Sequence, residues 1–320
     1  MSSLVTVKFR AMNTDVEAQL IHGLSEQKGA EYTALVQDWF RDMELRLSRF
    51  LSNSEVSQLN RSSGSWMLVS DVMYQLLTEA ETYRLHSEGL FTINVLAALQ
   101  AAGYDRSFDH VSQFQENQDA QLLPWNEQAV YELDSRMKAV KLRSGVQLDL
   151  GGIAKSWSVR KLSGWLRRKK GITRGLINAG GDAVVWDDIG EEQPSELRIQ
   201  NPWNTLDSDA AIRLFNGGAA TSSTLGRSWP TAAGECFHHI IDPRRMKPST
   251  SDVVQCTITG SDVTACEVWS KVFCIAGFER GMQLLTRHAP TYRSYIYTSD
   301  RSFHQHPITL EDHVGRRRET

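Results

Sequence analysis

Leu148-Asp149-Leu150-Gly151-Gly152-Ile153-Ala154-Lys155 is the stretch on which the reading of this chain turns. An apolar run, Val146 to Leu150, carries one carboxylate. Two glycines follow, and Lys155, Val159 and Leu162 then recur at helical spacing. That order predicts strand, tight turn and helix N-terminus. Glycines let the backbone approach a ligand closely, and the first helical N–H groups have no intrahelical acceptors. An anion is the natural guest of such a turn, and an exposed Lys155 adds positive charge beside it. The expectation is therefore a phosphate or diphosphate site. A P-loop is excluded because Ala154, not glycine, precedes Lys155-Ser156, and a dinucleotide fingerprint is excluded because it needs three spaced glycines. The plainer reading is a strand-to-helix turn with a surface lysine. A carboxylate in an apolar strand, two glycines and a lysine together tip the balance towards a ligand site, and a buried Asp149 would need partners, because burying a lone charge is costly.

The rest of the composition is that of an ordinary globular protein. The chain has 320 residues, 41% hydrophobic and 23% charged, enough for one large domain or two ordinary ones. A formal net charge of -3 gives no global basic field for nucleic acid or an anionic membrane. No segment is apolar enough to span a bilayer, and Met1–Asn13 lacks the basic start and apolar run of a signal peptide. Cys236, Cys256, Cys266 and Cys274 include no C-x-x-C pair. Free thiols suit a reducing compartment, so a cytoplasmic location is expected.

Hydrophobic periodicity outlines the organisation. Val5–Phe9 and Val16–Ile21 read as strands joined at Met12-Asn13-Thr14. Glu31–Phe50 reads as a long amphipathic helix, and Ser54-Glu55 opens a short one ending near Asn60. Val72–His86 is a helix capped by Ser70 or Asp71, and Phe91–Ala102 continues helically to Gly103. Gln113–Asn126 is polar and expected to be an exposed loop. Short strands follow at Ala139–Leu142, Val146–Leu150, Leu176–Ala179, Ala183–Trp186, Leu197–Gln200 and Ala211–Phe215. Helices are expected at Ile153–Arg167, Thr264–Ala276 and Gly281–His288, and a closing strand at Ser294–Thr298. No linker divides the chain. The expected architecture is α+β: a single large domain over residues 1–310, with a mixed, mainly antiparallel sheet and flanking helices. A basic tail over 311–320 is expected to be disordered.

Further motifs point to the same chemistry. Gly180-Gly181-Asp182 follows an apolar run and reads either as a hairpin turn or as backbone N–H groups and a carboxylate presented to a ligand. Thr221-Ser222-Ser223 offers hydroxyls for phosphate oxygens or for a helix cap. His238-His239-Ile240-Ile241-Asp242-Pro243 sets two imidazoles and a carboxylate in an extended segment.

In order, these segments resemble the FAD:protein FMN transferase family, often called ApbE-like. The resemblance runs from about Phe9 to Gly277. It rests on Ala11-Met12-Asn13-Thr14, Leu47-Ser48-Arg49-Phe50, Ser54-Glu55, Leu59-Asn60, Gly89-Leu90-Phe91, Gly103-Tyr104-Asp105, Asp149 to Lys155, Gly180-Gly181-Asp182, Thr221-Ser222 and His239 to Pro243.

The resemblance implies an α+β domain with a deep FAD cleft. It implies cleavage of the FAD pyrophosphate with Mg2+, transfer of FMN to a Ser or Thr of a partner flavoprotein, and release of AMP. Under it, Met12, Phe50, Leu90, Phe91, Thr92, Asp149, Lys155, Asp182, Thr221 and Ile240 fall at flavin-binding positions. Gly152, Glu267 and Lys271 fall at metal positions. His239 and Asp242 are the candidate general bases by residue type.

Four departures stand out: Asn13 where the family has Gly, Thr92 where it has Asp, Ser156 where it has Gly, and Glu267 with Lys271 where it has Asp and Thr. Glu and Lys four apart form a favourable helix ion pair, and a protonated lysine has no lone pair for magnesium. A non-catalytic FAD-binding protein and an FAD pyrophosphatase are the alternative readings.

Overall fold

The computed structural model describes residues 3–22, 26–106, 122, 128–190, 194–231 and 234–307. Apart from residue 122, the expected 113–126 loop lies outside these, as does the basic tail. β1 (Ser3–Ala11) and β2 (Thr14–His22) form a hairpin closed by Met12 and Asn13, both at positive φ as a two-residue hairpin turn demands. α1 (Glu26–Leu47) follows, then α2 (Glu55–Arg61), whose Ser54 cap accepts from the Ser57 N–H at 3.2 Å. β3 (Trp66–Leu68) precedes α3 (Asp71–His86), which is capped by Ser70, and then comes the short α4 (Leu96–Ala101). β4 (Tyr131–Asp134) and β5 (Ala139–Leu142) lead to α5 (Ala154–Lys170). β6 (Arg174–Ala179) and β7 (Asp182–Asp187) turn through Gly180-Gly181, and β8 (Ser195–Asn201) with β9 (Asn204–Leu214) makes a separate hairpin.

β10 (Gly217–Ser223) is followed by two short hairpins, β11 (Ser228–Pro230) with β12 (Cys236–His238) and β13 (Ile241–Asp242) with β14 (Lys247–Pro248). β15 (Val253–Gly260), α6 (Val263–Ala276), α7 (Phe278–His288), β16 (Arg293–Thr298) and β17 (Phe303–His306) complete the described chain.

One eight-stranded sheet organises these elements in the order β1-β2-β6-β7-β10-β15-β16-β17, and each neighbouring pair is antiparallel. The α+β class is as expected. α1 and α5 pack over its first strands, burying Val36, Phe40, Val159 and Leu162 against Val7, Ala18, Leu20 and Ile177. α6 lies over β10 and β15 and is buried nearly all round. Each such large side chain contributes about 1.5–3 kcal/mol on leaving water.

The approach of α6 explains β10, a strand the sequence does not announce. A side chain at Gly218 would meet the Val263 backbone at 2.6 Å. The thiols of Cys266 and Cys274 sit on the Gly218 and Ser222 carbonyls at 3.5 Å. Only small residues fit between this helix and this strand.

Three of the differences from the sequence reading shape the site. α1 ends at Leu47, three residues before Phe50, which frees Arg49 and Phe50 to turn into a cavity. Residues 91–95 are not helical. The Thr92 hydroxyl accepts the Asn94 N–H, and the Ile93 carbonyl accepts the Asp149 N–H at 2.8 Å. Residues 146–150 join no sheet. Their ladder partner is a side chain: Asn60 donates to the Leu148 carbonyl at 3.0 Å and accepts from its N–H at 2.8 Å.

That substitution of a side chain for a strand is testable. Asn60→Ala strips both partners from a buried peptide unit and lowers unfolding free energy by about 2–4 kcal/mol. Asn60→Asp does no better, since it turns a carboxylate towards the Leu148 carbonyl. Chemical denaturation of the variants checks both. Wild-type stability in Asn60→Ala contradicts the account.

Candidate functional site

A cavity of about 510 Å³ opens where the β1–β2 turn, the end of α1, the 90–95 segment, the 149–155 turn and α6 converge. Met12, Phe50, Leu90, Phe91 and Thr92 line it, as do Asp149, Gly152, Lys155, His239 and Lys271. Most of the residues selected from the sequence are thus brought together. Glu267 and Asp182 stand behind that wall and reach it through Lys155.

Two residues selected alongside them do other work. Thr221 lies on β10 and shares a hydrogen bond with the Thr257 hydroxyl at 2.8 Å, away from the cavity. Asp242 holds the Arg244 guanidinium at 2.9 and 2.8 Å and accepts its N–H, closing the turn between β13 and β14. Ile240 is buried in the core between the lining residues His239 and Ile241.

Asp149 has the partners its burial demands. One oxygen meets Arg49 Nε at 2.6 Å and the other accepts the Gly151 N–H at 2.8 Å. Arg49 also donates to the Tyr104 carbonyl at 2.8 Å and lies over the Phe50 and Tyr104 rings, 4.3 and 4.8 Å from their centroids. Its side chain is 5% exposed. Arg49, Tyr104 and Arg227 are site residues that the sequence reading did not select. The cost of a lone Asp149 charge was the signal that an arginine had to be nearby.

Lys155 is not the exposed lysine expected. Its ammonium lies 2.7 Å from Glu267 and 3.1 Å from Asp182, and those two carboxylate side chains are each 2% exposed. Burial alone would push this lysine down, but the two carboxylates hold it above its ordinary value. Burial and the Glu267 charge push Asp182 up to about 7, against the pull of Lys155. Burial opposes ionisation of Glu267 too, yet Lys155, Lys271 and the Ser156 N–H keep it below its usual range. The contact with Asp182 is ionic, and the buried Asp182 Oδ2 has no hydrogen-bond donor among the described residues.

The helix N-terminus already has its anion. Glu267 Oε2 accepts the Ser156 N–H at 3.3 Å, and the Ala154 N–H is taken by the Leu150 carbonyl at 2.8 Å. The pull of a helix start on negative charge operates here, but the guest is a carboxylate of the chain itself. The expected Glu267–Lys271 helix pair is absent, because Glu267 faces Lys155 instead.

Lys271 crosses Gly152: its Cε would stand 2.9 Å from a Cβ placed there. Burial drives its ammonium below the ordinary value, with Glu267 and Asp182 opposing. Among the described residues it has no carboxylate within 4.0 Å. Magnesium asks for oxygen ligands. Here Lys271 offers none, both Glu267 oxygens are engaged, and no cluster of three His, Cys, Asp or Glu side chains among the described residues can hold a metal. The residues present do not fit a magnesium ion.

His239 sets its Nδ1 3.4 Å from the Arg227 carbonyl. That oxygen accepts, so Nδ1 carries the hydrogen and Nε2 keeps its lone pair. Burial, then Lys271 and Arg227, hold the imidazole well below its ordinary value, so it is neutral at pH 7.

Comparison with known proteins bears on this arrangement. The sequence profile of the ApbE family matches residues 12–296, and the chain belongs to that family. A FAD:protein FMN transferase of Klebsiella pneumoniae is 23% identical over 239 residues, 73% of this chain and 72% of its own. The crystal structure of the ApbE protein of Thermotoga maritima superposes with a TM-score of 0.78 at 21% identity, covering 95% of this chain and 97% of that one. The flavin transferase ApbE of Vibrio cholerae gives 0.73 at 18% identity, covering 95% and 97%.

The ion cluster makes a stability prediction. Lys155→Met leaves two buried carboxylates without their cation and costs about 3–5 kcal/mol. The loss is greatest above about pH 7 and shrinks on acidification, because Asp182, already raised above its unfolded value, then takes up a proton. Thermal melts from about pH 8 to about pH 5 read this out. No loss, or a loss that grows with acid, contradicts it.

Proposed function

We propose that the cavity binds FAD and that the protein transfers its FMN half to a Ser or Thr hydroxyl of a partner flavoprotein, releasing AMP. One observation carries the reading. In a chain of this family, a single cavity joins Phe50, Phe91 and Met12, surfaces for flat rings, to the cations Arg227 and Lys271. Names of curated relatives support the same activity.

In the proposed step the acceptor oxygen attacks the FMN-side phosphorus. A new P–O bond forms, and the P–O bond to the AMP phosphate breaks with its electron pair leaving on AMP. The hydroxyl proton goes to Nε2 of His239, the neutral base of the cavity. Phosphoryl transfer depends mainly on positioning and on neutralising oxygen charge. Arg49 and Asp149 fix the Gly151-Gly152 turn in the cavity wall.

Lys271 also motivates a second reading, an FAD-binding protein that does not turn over. The two separate cleanly. Purified protein with FAD and a candidate flavoprotein acceptor releases AMP and yields covalent, fluorescent acceptor under the first reading. Under the second it holds FAD and releases nothing.

His239→Gln is expected to keep FAD affinity while AMP release falls by about a hundredfold or more. Asp242→Asn loosens the β13–β14 turn and lowers melting temperature, and leaves the rate per folded molecule alone. Equal rates in wild type and His239→Gln sink the assignment of the base.

A further inference from the structure

The cavity contains more positive charge than its own chain uses. Arg49 is matched by Asp149, and Lys155 is matched by Glu267 and Asp182. Among the described residues lining the cavity, Arg227 and Lys271 are the cations with no carboxylate within ion-pair distance. Arg227 donates to the Asn13 carbonyl at 3.0 Å. Lys271 donates to nothing within the described residues. Its stem lies against Gly152, where an added Cβ would stand 2.9 Å from Lys271 Cε.

An ammonium in a half-buried, low-dielectric wall with no counter-charge is costly. The wall behind it compensates only through space: Glu267 and Asp182 attract it, but neither lies within ion-pair distance, and both Glu267 oxygens are engaged by Lys155 and the Ser156 N–H. A bound anion can pair with it directly. The helix start that a phosphate would otherwise choose is closed to it by Glu267. The side chain left to meet a phosphate at this turn is Lys271.

We propose that Lys271 is a built-in cation that binds the diphosphate of FAD directly, so that this protein takes its flavin dinucleotide without a divalent metal. The inference rests on the FAD reading above and deepens it. It assigns to the fourth side chain after Glu267 a charge-neutralising role in place of metal ligation. A lysine donates three hydrogens and accepts none, so it serves an anion and repels a metal ion. The ligand class is a dinucleotide diphosphate. Riboflavin, which has no phosphate, is indifferent to this residue.

The test is equilibrium binding of FAD and of riboflavin to the full chain, each measured in EDTA and in excess magnesium. Wild type is expected to bind FAD with the same affinity in both buffers. Lys271→Met is expected to lose about tenfold to a hundredfold in FAD affinity in EDTA, with riboflavin affinity unchanged. Lys271→Arg, which keeps the charge, is expected to recover most of that loss.

FAD binding that needs magnesium in the wild type overturns this inference and leaves the FAD reading standing. So does a Lys271→Met variant that binds FAD as the wild type does. Failure of the wild type to bind either flavin in any buffer overturns both. The buffer comparison needs no variant, so it decides the question even if Lys271→Met does not fold.

Discussion

The cavity depends on a buried ion cluster. Lys155 reaches from the first turn of α5 to Glu267 on α6 and to Asp182 at the start of β7. Those three elements come from distant parts of the chain, and the cluster ties them around the Gly151-Gly152 turn. Buried charges are stabilising only when matched and hydrogen-bonded. Here the match is good for Glu267 and incomplete for Asp182, whose Oδ2 has no hydrogen-bond donor among the described residues. The cluster therefore fixes geometry more than it adds stability. It sets the distance between the helix that begins at Ala154 and the helix that carries Lys271.

The same cluster redirects the chemistry of the turn. A strand end, two glycines and a helix start form an anion site by geometry alone. In this chain Glu267 fills the helix start from within, and Lys155 neutralises Glu267. What remains for a ligand is the face beyond: Arg227 beside the β1–β2 turn, Lys271 over Gly152, and the rings of Phe50 and Phe91. Glu267 pairs inward with Lys155, and Lys271, one helical turn on, lines the cavity beyond it.

Much of this was legible in the sequence, for identifiable reasons. Asn13 and Gly180-Gly181 are residues that tolerate positive φ, and the turns they make close hairpins of the main sheet. The short helix α2 and the longer α3 show their Ser54 and Ser70 caps. Asp149 and Lys155 were conspicuous because charge at the edge of an apolar run requires explanation. Other features were hidden by tertiary context. β10 is rich in glycine and alanine and carries no strand pattern of its own; its place is set by α6 packed on it. Residues 146–150 carry the pattern of a buried strand, but the Asn60 side chain takes the place of a neighbouring strand. Arg49 looked like the polar end of a helix, and its role appears only when α1 stops at Leu47 and turns it onto Asp149. Glu267 and Lys271 sit four apart, the spacing of a helix pair, and a partner 112 residues away took the glutamate.

The most direct test of the central claim is a double-mutant cycle on unfolding free energy with Lys155→Met, Glu267→Gln and the two combined. If the cluster is one unit, the combined variant is less destabilised than Lys155→Met alone, because the carboxylate stranded by the first change is removed by the second. The coupling should reach about 1–3 kcal/mol. Additive losses would show that Lys155 and Glu267 act independently, and that the floor of the cavity is held by something other than this cluster.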